Sequence, residues 1–213
     1  KIIFNNMKYN LILVIFIFAI NSCNNIDNSK IYYDDTKALN DITNDYRTGN
    51  YINCINKSNE YVKLYPKRDV GWQFLGGAYL AIGKDSLAEI CIAKALFFNP
   101  RNAISLTNYG VVNDRKNKFN LAAEYYDKAL KINDTIPEIY SNYLLNRIKV
   151  GDYLNAQVYG ERAISYSSNF YDVANLCFAY YKNGNFKKSD SLFYQLKLLN
   201  FTEIETLGTA IGK

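Results

Sequence analysis

Histidine is absent from the 213-residue sequence, and cysteine is scarce, with four residues. The first absence excludes a histidine general base, a Ser–His–Asp triad and histidine metal ligands. The cysteines form no C-x-x-C pair, and no glycine-rich loop with phosphate-binding spacing occurs. We therefore expect a protein that is not an enzyme and that uses no metal and no cofactor.

Clusters of basic residues are lacking as well. The chain has 25 Lys and Arg against 20 Asp and Glu, a formal charge of +5, and no run of four basic residues. Nucleic-acid binding usually needs a concentrated basic surface, and an evenly spread, small net charge does not provide one. We therefore do not expect a nucleic-acid partner.

Long apolar runs are missing except near the N-terminus, where Leu11–Ile20 follows Lys8. Ten residues span about 15 Å as a helix, half of a hydrocarbon core of roughly 30 Å. The pattern therefore predicts a signal peptide over residues 1–22 and not a transmembrane helix. Because Met7 is the only methionine, we expect translation to start there, with Lys1–Asn6 upstream of the true start.

The apolar run ends in Ile20-Asn21-Ser22-Cys23, which resembles a bacterial lipobox. The resemblance implies a diacylglycerol on the thiol of Cys23, palmitate or a similar chain on its amine, and polar residues 23–34 as a lipidated tether. It also implies a lipoprotein of the bacterial cell envelope, on a membrane and facing the periplasm or the cell surface. The alternative is ordinary signal cleavage, with Cys23 next to the site by chance.

The most informative stretch is residues 69–102. Trp72, Leu75, Gly76 and Tyr79 are three or four residues apart and share one face of a first helix. Small residues recur on a second helix, and Pro100 ends it. The stretch resembles a tetratricopeptide repeat (TPR), a helix–turn–helix unit of 34 residues with a W-x2-L-G-x2-Y motif followed by two alanines. The two alanines are Ala88 and Ala95.

The same spacing recurs without a gap at a period of 34. The alternative is five unrelated helical hairpins, which would not show a constant period. The resemblance implies an all-α fold, a right-handed superhelical solenoid of about five repeats. A partial capping helix is expected over 205–213, or else the chain continues. The expected repeats are 35–68, 69–102, 103–136, 137–170 and 171–204.

An ungapped period also predicts the turn inside each repeat, at residues that tolerate a positive φ. It assigns Asp190 and Lys197 to the two alanine positions of the last repeat, which we interpret as the polar drift of an end unit. The exposed edge beyond that repeat is a possible homodimer contact. The predicted turn residues are Gly49, Gly83, Asn117, Gly151 and Asn185.

Function in proteins of this kind usually lies on the concave surface, lined by the first helix of each repeat. Position 6 of the predicted first helices holds three asparagines, with a fourth one residue away, and one phenylalanine. Asparagine amides can bond both polar groups of a peptide backbone, so the series predicts an extended peptide ligand; a solvated polar face is the alternative. The residues are Asn40, Phe74, Asn108, Asn142 and Asn175.

Cations follow on the same face near the end of the first helices, and they favour an acidic or C-terminal carboxylate ligand. The leading hypothesis is therefore a lipid-anchored scaffold or adaptor that binds a protein or peptide partner in its groove. The alternative is an assembly or stability factor of a cell-envelope complex that docks through its convex or end surface. The cations are Arg47, Arg115, Lys149 and Lys182.

Overall fold

The computed structural model describes residues 28–167 and 169–213, with the side chains from Asp35 onward. The described residues form eleven helices and no strand, so the predicted all-helical solenoid is confirmed. We label the helices α1 to α11 in chain order. They are Asn28–Arg47, Tyr51–Leu64, Asp69–Ala81, Asp85–Phe98, Ala103–Arg115, Phe119–Ile132, Pro137–Lys149, Tyr153–Tyr166, Phe170–Lys182, Phe186–Leu198 and Ile204–Ala210.

Consecutive helices pair into five hairpins, α1/α2 to α9/α10, and α11 follows as a short cap. Each first helix also packs against the first helix of the next hairpin, from α1 and α3 to α7 and α9. Successive second helices do not contact one another anywhere in the described part of the chain. First helices therefore form the inner, concave side of the stack, and second helices form the outer side.

Small residues allow the two helices of a hairpin to approach, as predicted. A Cβ added to Gly76 would lie 2.6 Å from Ile92 Cγ1 and 3.4 Å from the carbonyl oxygen of Ala88. Ala88 and Ala95 are completely buried on the facing helix. A larger side chain at any of these positions would separate α3 from α4, which explains why small residues recur there.

The predicted period of 34 is wrong by one residue in the last repeat. Helices α3, α5 and α7 begin at Asp69, Ala103 and Pro137, 34 residues apart, but α9 begins at Phe170, after only 33. The shortening lies in the connection from α8 to α9, because a surface loop can lose a residue at less cost than a packed helix. Every position from Phe170 onward is therefore shifted by one.

This shift corrects the predictions for the last repeat. Gly184, with φ +76°, makes its internal turn, and Asn185 instead caps α10. Ser189 and Leu196 occupy the two alanine positions in place of Asp190 and Lys197, and both are buried. The end unit therefore keeps a small and an apolar residue at the helix contact. The other four turn residues have a positive φ as predicted.

The two ends of the described chain also differ from expectation. Helix α1 begins at Asn28, so residues 28–34 are helical where a tether was predicted; no proline or glycine interrupts them. At the other end, Leu207 and Ile211 pack with Phe193 and Leu196, so α11 and the residue after it cover part of the last repeat. Cys23 and the predicted signal peptide lie outside the described residues. None of the helices from residue 28 onward is long and apolar enough to cross a bilayer.

Candidate functional site

The inner face carries a series of asparagines that is more regular than the sequence suggested. Because α9 begins at Phe170, Asn175 and not Leu176 is its sixth residue. Asn108 and Asn142 are the sixth residues of α5 and α7. Asn40 in α1 is the equivalent residue of the first repeat, because it lies one period of 34 residues before Phe74, the sixth residue of α3. Four of the five first helices thus present an asparagine at the same position. We call Asn40, Asn108, Asn142 and Asn175 the asparagine ladder.

The ladder amides are accessible. Asn40 is exposed, and the other three are half-buried. Asn142 Nδ2 donates to the carbonyl oxygen of Glu138 at 2.8 Å within its own helix. The side chains of Asn40, Asn108 and Asn175 have no hydrogen-bond partner in residues 35–167 and 169–213. Each can therefore donate to and accept from a ligand without breaking a contact of the fold.

Phe74 takes the place of an asparagine in the second repeat. Its ring meets the ring of Tyr46 from α1 edge to face, with centroids 5.7 Å apart and planes at 65°. Tyr46 fits there because Gly77 has no side chain; a Cβ on Gly77 would lie 3.0 Å from the tyrosine oxygen. The inner face therefore has an aromatic contact surface between the first rung of the ladder and the other three.

The four predicted cations are the last residues of their helices, where a positive charge is favourable beside the unpaired carbonyls. Arg115 also joins two repeats, because its Nη1 donates to the carbonyl oxygen of Leu80 at 3.0 Å and to Asp85 Oδ1 at 2.5 Å. Lys182 Nζ lies 5.3 Å from the ring centroid of Phe178. Arg47 and Lys149 are exposed and form no ion pair with the described residues.

A cleft at the C-terminal end of the inner face was not predicted. Its volume is about 260 Å³, and it lies between α9 and α11. The rings of Tyr171 and Phe201, both in its wall, meet edge to face, and the Tyr171 hydroxyl donates to Glu203 Oε1 at 3.0 Å. We call it the C-terminal cleft. It is lined by Tyr171, Asn175, Phe178, Phe201, Glu203 and Leu207.

The sequence contained one signal that would have placed the α9 residues of this cleft in the correct register. Gly151 and Gly184 both follow a stretch typical of a helix end, and aligning them gives the one-residue shortening. In the corrected register Tyr171 and Phe178 are the second and ninth residues of α9, on the same face as Asn175. The ungapped register assigned those positions to Asp172 and Ala179, both of which are buried.

Reactive or metal-binding groups do not gather elsewhere in the part of the chain that the structure describes. No group of three acidic or cysteine side chains there has the arrangement of a metal site. Cys54, Cys91 and Cys177 are buried free thiols, and burial raises the pKa of Cys91 to about 11. A protonated, inaccessible thiol is a poor nucleophile, so these cysteines have a packing role.

Comparisons with known proteins agree with this architecture. Residues 103–135, the third hairpin, match the family model of the tetratricopeptide repeat. Over 63 residues the chain is 30% identical to anaphase-promoting complex subunit 3 of Schizosaccharomyces pombe. That match covers 30% of this chain and 10% of the yeast protein, so the chain spans only a small part of that relative.

Solved structures match over most of the chain. PilF of Pseudomonas aeruginosa superposes with a TM-score of 0.70 at 15% identity, over 84% of this chain and 82% of PilF. A thermophilic TPR protein of Thermus thermophilus gives a TM-score of 0.67 at 14% identity, covering 84% of this chain and all (100%) of that one.

YrrB, described as a TPR protein with an unusual peptide-binding site, gives a TM-score of 0.58 at 14% identity, over 78% of this chain and 87% of YrrB. At these identities the structural matches show the fold alone. Residues 103–135 are a tetratricopeptide repeat, and the described chain around them is a solenoid with the tetratricopeptide repeat fold.

Proposed function

We propose that this protein is a scaffold that binds an extended segment of a partner protein along its inner face. The fold neighbours support a protein-interaction role in general. The asparagine ladder is the observation that supports this particular mode of binding, because it repeats the same amide on four first helices and three of these amides have no partner in the described structure. An amide pairs with peptide N–H and C=O groups whatever the side chains of the ligand.

The repeat spacing sets the length of ligand that such a ladder would bind. Packed helices are about 8–10 Å apart, and an extended peptide rises about 3.3 Å per residue. Neighbouring rungs would therefore meet the ligand about every third residue, and the five first helices would span roughly 11 to 12 residues. Phe74 and Tyr46 would contact an apolar side chain of the same segment.

Replacing Asn108 and Asn142 by alanine tests this mode. The partner is identified by crosslinking to the full chain in detergent-solubilised membranes, and its crosslinked segment is then synthesised and titrated by fluorescence anisotropy. Two lost amide contacts of about 1 kcal/mol each should weaken binding roughly tenfold to thirtyfold. Alanine is the better helix former, so helicity measured by circular dichroism should not fall.

The matched control replaces two asparagines on the outer side, Asn56 and Asn120, by alanine. The control should bind the segment as tightly as the parent chain does. Equal affinity of the inner-face variant and the parent would refute the ladder as a binding site and would favour a solvated polar face.

We propose further that a lipid on Cys23 holds this scaffold at a bacterial membrane, facing the periplasm or the cell surface. The support is the Ile20-Asn21-Ser22-Cys23 sequence after a short apolar run. Because α1 begins at Asn28, only four residues would separate the lipid from the first helix, so the solenoid would lie within about 15 Å of the bilayer. A Cys23→Ser chain should lose its membrane fraction on sedimentation, and retention there would exclude the lipid anchor.

The outer face of α4 favours a second candidate function, docking on a membrane complex as an assembly factor. Ile90 and Phe97 are 56% and 79% exposed, and Leu87 and Phe98 are also exposed. Apolar side chains gathered on one helix mark an interaction surface more often than chance exposure does. Two cations without ion pairs in the described structure, Lys84 and Arg101, lie at the two ends of α4. The expected partner is therefore an apolar protein surface with an acidic rim.

A variant with both Ile90→Ser and Phe97→Ser distinguishes the two candidate functions. If the outer face docks the partner, this variant should lose co-purification with the membrane complex while its inner-face affinity for the synthetic segment stays unchanged. If the inner face alone binds, the variant should co-purify as the parent does. Both residues are exposed, so we expect a change in unfolding free energy within about 0.5 kcal/mol.

A further inference from the structure

The C-terminal cleft has the size of a single side chain. Its volume of about 260 Å³ lies below the range of roughly 300 to 1,000 Å³ that is usual for whole small-molecule ligands. It opens on the inner face beside Asn175, the last rung of the ladder. A peptide that follows the ladder would therefore reach the cleft with one of its side chains.

The walls of the cleft suit an aliphatic chain. Tyr171, Phe178 and Phe201 present aromatic rings, and Leu207 adds an apolar side chain from α11. The rings of Tyr171 and Phe201 are fixed edge to face, with centroids 5.6 Å apart. Aromatic faces also attract a cation that lies over them. Lys182 already occupies the surroundings of Phe178, which leaves the Tyr171 end for a positive group from a ligand.

The charge at that end of the cleft is negative. Glu203 lines the cleft, and it forms no ion pair with the described residues. Hydrogen bonds from the hydroxyls of Thr202 and Tyr171 lower the pKa of the Glu203 carboxyl, which is therefore ionised at neutral pH. A carboxylate has about four acceptor positions, so two hydrogen bonds leave capacity for a ligand cation.

We propose that the C-terminal cleft binds a lysine or arginine side chain of the partner segment, with its aliphatic stem against Tyr171 and Phe201 and its cation on Glu203. This proposal rests on the proposed peptide-binding function and adds a preference for sequence, which the ladder by itself does not provide. The bound segment would then be anchored at the end of the solenoid by one basic residue.

Small probes test the cleft without knowledge of the partner. Nα-acetyl-lysine N-methylamide and Nα-acetyl-norleucine N-methylamide have the same stem and differ in the ammonium group. Each is titrated into the ¹⁵N-labelled full chain, and the amide resonances of Phe178 and Leu207 are followed by NMR. We expect saturable shifts with the lysine probe and an affinity about fivefold lower for norleucine. Equal affinities, or no shift at these residues, would overturn the proposal.

Three variants complete the test. Glu203→Gln should lower the affinity of the lysine probe about fivefold and leave the norleucine probe unchanged. Glu205→Gln, on the same cap but outside the cleft, is the control and should change neither affinity. Ala174 also lines the cleft, so Ala174→Trp should fill it and abolish binding of both probes. An unchanged lysine affinity in Glu203→Gln would contradict the assigned ion pair.

Probe binding at the C-terminal cleft can be tested independently of peptide binding at the asparagine ladder. The probes have no extended backbone, so the Asn108→Ala, Asn142→Ala chain should bind them as the parent does. If the cleft binds neither probe while that variant loses the synthetic segment, the ladder stands and the cleft proposal fails. If the cleft binds the lysine probe while the ladder variant binds the synthetic segment as the parent does, the cleft proposal stands and the ladder proposal fails. Stronger binding of Nα-acetyl-glutamate N-methylamide than of the lysine probe would show that the cleft prefers anions and would also refute the proposal.

Discussion

Two neighbouring junctions between repeats make the same contact with opposite chemistry. Between the second and third repeats, Leu80 of α3 and Val112 of α5 are buried in one apolar cluster. The residues 34 positions further along are Asp114 of α5 and Asn146 of α7, which are also buried. Asn146 Nδ2 donates to Asp114 Oδ1 at 2.6 Å, and the buried Tyr126 hydroxyl donates to Asp114 Oδ2 at 2.8 Å.

The difference shows that the repeat geometry determines which positions are in contact. The side chains at those positions determine how much stability a substitution there removes. An apolar contact weakens in proportion to the area lost. A buried polar network stabilises only while all its members are paired, because each orphaned group keeps its full desolvation cost. The polar junction also lies between α5 and α7, which carry the ladder residues Asn108 and Asn142. It therefore holds two rungs of the ladder in a fixed relation.

The largest effect is expected from Asp114→Leu, which places the leucine of the apolar junction into the polar one. The Tyr126 hydroxyl and one hydrogen-bonding position of Asn146 would then be buried without partners. We expect a loss of about 3 to 4 kcal/mol in the free energy of unfolding, measured by urea denaturation followed by circular dichroism. Such a loss is a large part of the total stability of most domains, which is about 5 to 15 kcal/mol.

The control for this variant is Asp134→Leu, at an exposed residue in the connection before α7. Its unfolding free energy should stay within about 0.5 kcal/mol of the parent value. A loss below about 1 kcal/mol for Asp114→Leu would show that the hydrogen bonds of Asp114 contribute little to stability and that solvent reaches the Asp114 carboxylate.

The second prediction reverses the exchange, with Val112→Asn. Val112 is completely buried between apolar residues, so the new amide would find no hydrogen-bond partner. We expect a loss of roughly 2 to 3 kcal/mol, smaller than for Asp114→Leu because one buried side chain, and not two, is left without a partner. Val158→Asn, at a position that is 58% exposed, is the matched control and should change the unfolding free energy by less than about 0.5 kcal/mol.

Most of the fold could be predicted from the sequence because it depends on local, repeated signals. Gly76, Ala88 and the turn glycines occupy positions where only a small side chain or a positive φ fits, so the period is visible along the chain. The one-residue shortening before α9 was missed because only the 33-residue spacing from Gly151 to Gly184 marks it, and the period was taken as constant. An assumed constant period then moved every later position onto the wrong face of its helix.

The site was harder to predict than the fold. The ladder could be read, since it is a property of one position in the repeat. The cleft could not, because it depends on how α11, a helix outside the repeat pattern, packs on Phe193 and Leu196. The contacts of Arg115 were also hidden: its partners Leu80 and Asp85 lie 35 and 30 residues away in the chain, and only the packed structure brings them together.

The smallest effect is expected when the polar junction is converted completely. Asp114→Leu, Asn146→Val and Tyr126→Phe together remove both partners of the two hydrogen bonds to Asp114 and copy the apolar pair of the preceding junction. Replacing a whole buried polar group by apolar residues of similar shape is often neutral or stabilising. We therefore expect the triple variant to unfold within about 1 kcal/mol of the parent, although it contains the most damaging single change.

A double-mutant cycle between Asp114 and Asn146 separates the two explanations for this recovery. A coupling energy of at least about 1.5 kcal/mol would assign the loss in Asp114→Leu to unpaired groups, since it disappears when the partner is removed too. If the triple variant is as unstable as Asp114→Leu, the loss comes from the shape of leucine at that position. The affinity of the triple variant for the synthetic segment gives a further measure, because a junction that is equally stable but less directional should hold Asn108 and Asn142 less precisely and bind more weakly.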